Sequence, residues 1–248
     1  NIKSWFLNRF LWSAQEGALS EEQLKNLELA KKCFGLLDGK VSFSKVIAST
    51  HDIIVKTTEG EVYFEYLSSG YKSSLFILLG LIKIIEERYV ESPILIEDFE
   101  GIILIDEIDL HLHPQWQASL LKLVKSLVPN AQIIATTHSP HMIQVAESKE
   151  IIALNFDEVD GVINREVNQS EYGFQGWTVE EILEDVMGLK ETRSEGYLTA
   201  ISDFNDAISS ENITEANSNY EVLDSMLHPN NHLRKLLKFQ LASLGAED

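Results

Sequence analysis

Three short segments of this 248-residue sequence carry residue types able to do chemistry. One is an apolar run closed by two acids, Ile102-Ile103-Leu104-Ile105-Asp106-Glu107. A buried strand ending in adjacent carboxylates delivers them to the carboxyl end of a parallel sheet, where such folds bind ligands. Successive side chains diverge at a strand end, so the pair can divide two tasks. One carboxylate can hold Mg2+, usually through water, while the next polarises a water for attack on a phosphate. A second segment, Thr136-Thr137-His138-Ser139, directly follows another apolar run. If the two strands are neighbours, His138 reaches the same sheet edge as Glu107, where a neutral imidazole can contact a γ-phosphate. The third, Leu67-Ser68-Ser69-Gly70-Tyr71, precedes a long helical stretch. Small residues with free backbone N–H groups at a helix start form an anion site through the dipole and the unpaired donors. Alone, each segment has a plainer reading: an acidic turn, a structural histidine, a Ser-capped helix.

The elements that must position these segments follow from periodicity. Residues 1 to about 37 read as helix, with apolar positions at Leu19, Leu24, Leu27, Ala30, Phe34 and Leu37 and a capping box of Ser20 with Gln23. After a short β-like stretch at 41–47, Asp52–Thr57 and Glu61–Tyr66 alternate as strands joined at Thr58-Glu59-Gly60, a hairpin signal. A long helix is predicted from about Lys72 to Tyr89. The pattern then turns α/β. Gly101–Ile105 predicts a parallel strand buried on both faces, followed by a helix over Pro114–Val128 and a second buried strand at Gln132–Ala135. A short helix at Ser139–Ala146, a third strand at Ile151–Leu154 and an edge strand at Gly161–Val167 complete this part. Beyond Gly173 the text becomes helical and acidic, with Thr178 and Glu181 capping a helix that ends near Gly188. The boundary is expected near 170–177.

The order of the three segments, separated by about 35 and about 30 residues, resembles the C-terminal half of an ABC-type ATPase domain of the SMC-like and RecF-like branch, over residues 52–155. The resemblance implies a P-loop NTPase-like α/β fold with a mostly parallel sheet, then a helical C-terminal region. It makes Leu67–Tyr71 the signature loop, with Ser68, Ser69 and Gly70 meeting nucleotide in trans, although Ser69 and Tyr71 depart from Leu-Ser-Gly-Gly-Gln. Asp106 becomes the Mg2+ residue, Glu107 the general base, Asp109 and His111 part of the D-loop, and His138 the switch histidine. ATP and Mg2+ are the implied cofactors. Two such domains pair head to tail around ATP, so a homodimer or higher oligomer is implied. The resulting division is 1–50, a helical segment left over from an insertion or arm; 51–170, the ATPase half; and 171–248, an acidic helical region.

The string Asp-Glu-Ile-Asp-Leu-His-Leu-His-Pro from Asp106 and Ala-Thr-Thr-His-Ser-Pro from Ala135 is similar to the stand-alone ATPases of bacterial anti-phage systems. With the tail strings from Trp177 and Asn231, the resemblance narrows to the PtuA-like ATPases of Septu and retron-associated systems. It implies an ATPase component that controls a partner HNH nuclease (PtuB-like). In retrons, a reverse transcriptase with its RNA–DNA hybrid joins. A Toprim nuclease domain within the chain is not expected, because the region after 170 offers no isolated Glu and Asp-x-Asp pair on successive strands. Asp157, Glu158 and Asp160 read as a solvated acidic turn. Two other readings compete: a DNA-repair ATPase of SMC or RecF type, which should show long heptads or a basic arm, and a non-hydrolysing interaction module.

Composition bounds these readings. Lys and Arg total 20 against 39 Asp and Glu, a net charge of −19. Phosphate neutralisation needs clustered basic residues, so DNA contact is assigned to a missing lobe or a partner. From Glu171 onward there are 15 acidic and 5 basic residues, more than half of the net charge, and that region is expected to bind protein. The single cysteine, Cys33, excludes an intrachain disulfide framework and fits a reducing compartment, taken as the cytoplasm. No apolar run reaches the roughly 18–20 residues of a membrane-spanning helix, so no membrane partner is expected. The phosphate-cradling Gly-x-x-x-x-Gly-Lys-[Ser/Thr] string does not occur. Gly35-Leu36-Leu37-Asp38-Gly39-Lys40-Val41 is one residue short and reads as a turn ending a helix. With Asn1 in first place rather than Met, the expectation is a chain that starts mid-domain, its phosphate-loop lobe lying upstream.

Overall fold

The computed structural model describes residues 1–110, 112–157, 161–165, 167 and 170–244. The chain forms two compact units, Asn1–Met187 and Gly188–Asp248. In the first, the helix expected over 1–37 is two helices, α1 (Ile2–Trp12) and α2 (Glu21–Leu36). The break has local causes. Ser13 closes α1, Gly17 takes a left-handed φ of 75°, and Ser20 opens α2 with a reciprocal capping box to Gln23. Beyond α2, the Lys40 N–H donates to Asp38 Oδ1 at 2.9 Å and the Val41 N–H to Asp38 O at 2.9 Å, so the Gly35–Val41 string is a post-helix turn.

Strands β1 (Ser42–Ile47), β2 (Asp52–Thr57) and β3 (Gly60–Tyr63) make an antiparallel sheet in that order, with a bulge between Phe43 and Lys45. The hairpin β2–β3 turns between Thr57 and Gly60. β3 stops three residues before the sequence-predicted Tyr66, because a 3-10 turn over Phe64–Tyr66 swings Phe64 into the core. Helix α3 (Ser69–Arg88) starts earlier than Lys72, since Ser68 caps it by accepting the Tyr71 N–H at 3.3 Å.

Next come β4 (Ile102–Ile105), α4 (Pro114–Leu127) and β5 (Gln132–Ala135). β4 and β5 pair in parallel, in register from Ile102 opposite Gln132 to Ile105 opposite Ala135. Their inner face sends Ile103, Ile105, Ile133 and Ala135 against the main core, with Leu75, Leu78, Leu79 and Ile82 of α3 and Leu120 and Val124 of α4. Rings of Phe6, Phe34 and Phe43 meet at centroid distances of 5.4–5.6 Å in the same core. Full burial of a Leu, Ile or Phe side chain contributes about 1.5–3 kcal/mol, so this face anchors the strand ends. The outer face is open: Ile102 is 64%, Leu104 75% and Ile134 51% exposed. Burial of β4 on both faces is therefore not met, because the core lies on one side only.

The third strand also differs. The strand β6 (Leu154–Asp157) begins where it was expected to end and pairs antiparallel with β7 (Gly161–Asn164). Among the described residues it is separate from β4 and β5, and the expected mostly parallel sheet reduces to that one pair. The glycine at 161, with φ of 73°, returns the chain as a hairpin. Glu158 and Asp160 lie outside the described residues.

Helix α5 (Pro140–Val145) and α6 (Val179–Glu181, continuing as a π turn over Ile182–Val186) bring Ile143, Phe174, Ile182 and Val186 into a small second core with Ala153. The first seventeen residues of the acidic region thus belong to the first unit. In the second unit, α7 (Glu195–Ser209), α8 (Ile213–Met226) and α9 (Leu233–Leu244) close on Ala200, Phe204, Leu223 and Leu237. Among the described residues, no helix is long and apolar enough to cross a membrane.

Candidate functional site

β4 and β5 have equal lengths and aligned ends, so the residues that follow them face each other. The ladder continues for one step, with the Thr136 N–H donating to Ile105 O at 3.0 Å. There β4 turns away. Glu107 adopts a left-handed φ of 49°, a conformation costing a non-glycine residue about 1–3 kcal/mol unless its surroundings hold it. They do. The Glu107 N–H donates to Thr136 Oγ1 at 2.7 Å and the Ile108 N–H to Thr136 O at 3.0 Å. The Thr136 hydroxyl in turn donates to Asp106 Oδ1 at 2.6 Å.

One step further on, Thr137 donates its hydroxyl to Asp109 Oδ1 at 2.5 Å, and the His138 N–H reaches the same oxygen at 3.2 Å. Ser139 is buried, caps α5 by accepting the Met142 N–H at 3.2 Å, and donates to Gln117 Oε1 of α4 at 2.6 Å. Asp106, Glu107 and His138 are exposed at this edge, and Asp109 is half-buried beneath them. The two expected segments, 106–109 and 136–138, are thus brought together by five hydrogen bonds that the sequence does not announce. His111, placed in the D-loop by resemblance, lies outside the described residues.

Ser68 and Ser69 stand exposed at the start of α3, and Gly70 follows them half-buried. A Cβ at Gly70 would lie 3.0 Å from the Trp116 ring and 3.6 Å from the His113 backbone N. The Tyr71 ring meets Trp116 edge-on at 6.0 Å, and its hydroxyl donates to Phe34 O. The helix-start loop therefore seats on the first turn of α4, the same element whose approach carries Asp109. Trp116, Thr136, Thr137 and Gln117 are functional-site neighbours with no role read from the sequence. The signal available was the pair of hydroxyl residues that closes the second apolar run.

Asp106 fits a hard cation. It is exposed, ends a strand, and keeps lone pairs beyond the one given to Thr136. No group of three or more His, Cys, Asp or Glu among the described residues could cage a metal. Mg2+ is typically held by one or two carboxylates with substrate phosphates and water, so Asp106 suits Mg2+ arriving with a nucleotide.

The sequence profile of the AAA ATPase domain family matches residues 14–143, more than half of the chain. The chain belongs to the AAA ATPase domain family. The matched stretch ends inside α5 and contains all seven described candidate residues. Among its relatives, this AAA ATPase chain is 54% identical over 246 residues to the Septu protein PtuA of Bacillus thuringiensis, covering 99% of this chain and 62% of that protein. It is 36% identical over 118 residues to the Retron Vc95 probable ATPase of Vibrio cholerae serotype O1 biovar El Tor, covering 45% of this chain and 22% of the relative. The Retron Ec83 probable ATPase of Escherichia coli matches at 35% over 102 residues, covering 40% and 18%. The chain therefore spans less than two thirds of the length of each of these relatives.

Proposed function

We propose that this chain supplies the signature-loop and Walker B part of a Mg-dependent ATPase that works in anti-phage defence and controls a partner nuclease. The observation that carries this reading is the carboxylate pair Asp106–Glu107, locked at the end of β4 against the loop that presents His138. Likeness to PtuA and to two retron ATPases supports the defence setting.

In this reading Mg2+, when bound, would supply neutralisation of phosphate charge. Asp106 holds it, through water or directly. Glu107, exposed and bound to Thr136 through its backbone N–H, takes the proton of the attacking water. His138 reads the γ-phosphate, and Ser68, Ser69 and Gly70 meet the nucleotide of a second copy. The open apolar face of Ile102, Leu104 and Ile134 is the proposed seat of the lobe that carries the phosphate loop. A purely parallel pair is ordinarily covered on both faces, which favours that occupant. The acidic region 171–248 is the proposed contact for protein partners, an HNH nuclease subunit first and a reverse transcriptase with its RNA–DNA hybrid in a retron setting.

The test is Glu107→Gln in the full-length protein, read by single-turnover hydrolysis and by dimer retention with ATP. Loss of a general base lowers turnover about 100- to 10,000-fold while binding persists, and the variant should accumulate as an ATP-bound dimer. Unchanged turnover removes Glu107 from the reaction. Failure of the wild-type protein to bind ATP at all favours the interaction-module reading instead.

A further inference from the structure

We infer that Thr136 is a positioning residue that sets the geometry of the Asp106–Glu107 pair and couples it to the loop of His138; the catalytic meaning of this rests on the ATPase reading above. Thr136 makes four hydrogen bonds to one short stretch of chain. Its N–H donates to Ile105 O at 3.0 Å, its carbonyl accepts from the Ile108 N–H at 3.0 Å, and its hydroxyl serves both residues between. The proton positions are fixed by exclusion. Glu107 offers an N–H, so the Thr136 oxygen accepts there at 2.7 Å, and its single proton goes to Asp106 Oδ1 at 2.6 Å.

Two consequences follow. The clamp holds Glu107 at its left-handed φ of 49°, which turns the chain out of the ladder directly after Asp106. It also orients the Asp106 carboxylate, whose remaining lone pairs are available to a cation. A carboxylate that ligates metal is oriented by its outer hydrogen bonds, and loss of such a partner typically costs about 10- to 100-fold in metal affinity or activity. The loop that carries Thr136 is tied a second time, through Thr137 and the His138 N–H to Asp109. Any displacement of His138 therefore pulls on both ends of the segment 106–109. Thr136 acts through Asp106 and Glu107, the two residues its hydroxyl binds.

Thr136→Val is nearly isosteric and keeps both backbone bonds, so it deletes only the hydroxyl. In the full-length protein the expected result is a fall in kcat of about 10- to 100-fold with little change in KM for ATP. Mn2+ affinity, read by electron paramagnetic resonance with a non-hydrolysable ATP analogue, should weaken by about tenfold. Thr136→Ser should restore both. A nucleotide-free readout stands apart from catalysis: the Glu107 amide should exchange with deuterium faster in Thr136→Val than in wild type or Thr136→Ser. Unchanged Glu107 exchange in Thr136→Val overturns the clamp. Altered exchange with wild-type kcat and Mn2+ affinity overturns the positioning role. If the wild-type protein neither binds nor hydrolyses ATP, the ATPase reading fails, while the exchange experiment still decides the clamp. Thr136→Ala provides a second deletion of the hydroxyl should the valine side chain disturb the strand end.

Discussion

Asp109 holds Thr137: the threonine hydroxyl donates to Asp109 Oδ1 at 2.5 Å, and the next residue, His138, adds its backbone N–H to the same oxygen at 3.2 Å. A carboxylate that follows β4 thereby fixes the start of the segment that follows β5. Asp109→Ala removes the acceptor of both bonds. Hydrogen bonds to a charged group contribute about 1.5–3 kcal/mol, so urea unfolding should show a loss in that range. The His138 amide, which donates to Asp109 directly, should lose exchange protection. Asp109→Asn keeps an acceptor and should lose less than half as much. Full stability in Asp109→Ala would remove Asp109 from the architecture of the site.

Gly70 is read by Trp116. A Cβ there lies 3.0 Å from one ring carbon and 3.4 Å from the next, closer than side chains ordinarily sit. Gly70→Ala sets this clash against the gain in helix propensity, so its net effect is small. Gly70→Val brings bulk that the ring cannot yield to, and overpacking of this kind costs about 1–3 kcal/mol. Trp116→Leu should recover part of that loss, with a coupling energy of at least about 0.5 kcal/mol in the double-mutant cycle. Additive effects would show that the helix-start loop does not lean on α4.

The parts of the site that the sequence discloses are those set by short-range chemistry. An apolar run that stops at Asp106-Glu107, a second that stops at Thr136-Thr137-His138, and Ser68 before a helix can each be read residue by residue. The pairing of β4 with β5 is partly legible, because two short apolar runs flank a single helix, as in a parallel crossover unit. Their register is not legible: only the observed match of Ile105 with Ala135 sets Thr136 opposite Asp106. The single helix expected over 1–37 fails because Ser13 ends α1, and Gly17 with the Ser20 cap decides locally against continuation. The third strand fails for a related reason. Ile151-Ile152-Ala153 and Leu154-Asn155-Phe156 are both strand-like, and the antiparallel register that sets Asp157 opposite Gly161 uses the later run.

Away from the site, α1 is fastened to α3 through one buried acid. The Glu86 side chain is 3% exposed; its Oε2 accepts from Arg9 Nε at 2.8 Å and Trp5 Nε1 at 3.2 Å, while its Oε1 is buried with no partner among the described residues. Arg9→Met strands that charge. Breaking a buried pair costs about 3–5 kcal/mol, and since Arg9 itself reaches solvent the lower end, about 3 kcal/mol, is expected in chemical unfolding. Arg9→Met with Glu86→Leu removes both charges and should recover most of the loss. A double variant as unstable as the single would mean that packing at Arg9, and not the charge, sets the cost.

Alkaline pH should find the core through Cys33. Its thiol is fully buried between α2 and the aromatic cluster, and burial pushes its pKa up to about 12. The Tyr71 hydroxyl is raised as well, by burial first and then by Asp38. For both groups the folded state keeps a proton that the unfolded chain gives up, near pH 8.5 for a thiol and near pH 10 for a phenol. Stability is therefore unaffected by these groups below about pH 8.5 and declines above it, by at most about 1.4 kcal/mol per pH unit for each group, until the folded pKa is reached. Cys33→Ala starts from a lower stability because of the cavity it leaves, yet its decline between pH 9 and pH 11 should be shallower by roughly 1 kcal/mol per unit. Tyr71→Phe should flatten the curve only above about pH 10. In the native protein at pH 8, a thiol reagent should react with Cys33 only at the rate of unfolding. Rapid modification of the folded chain, or a Cys33→Ala curve parallel to wild type, would show that the thiol titrates as a solvent-reached group.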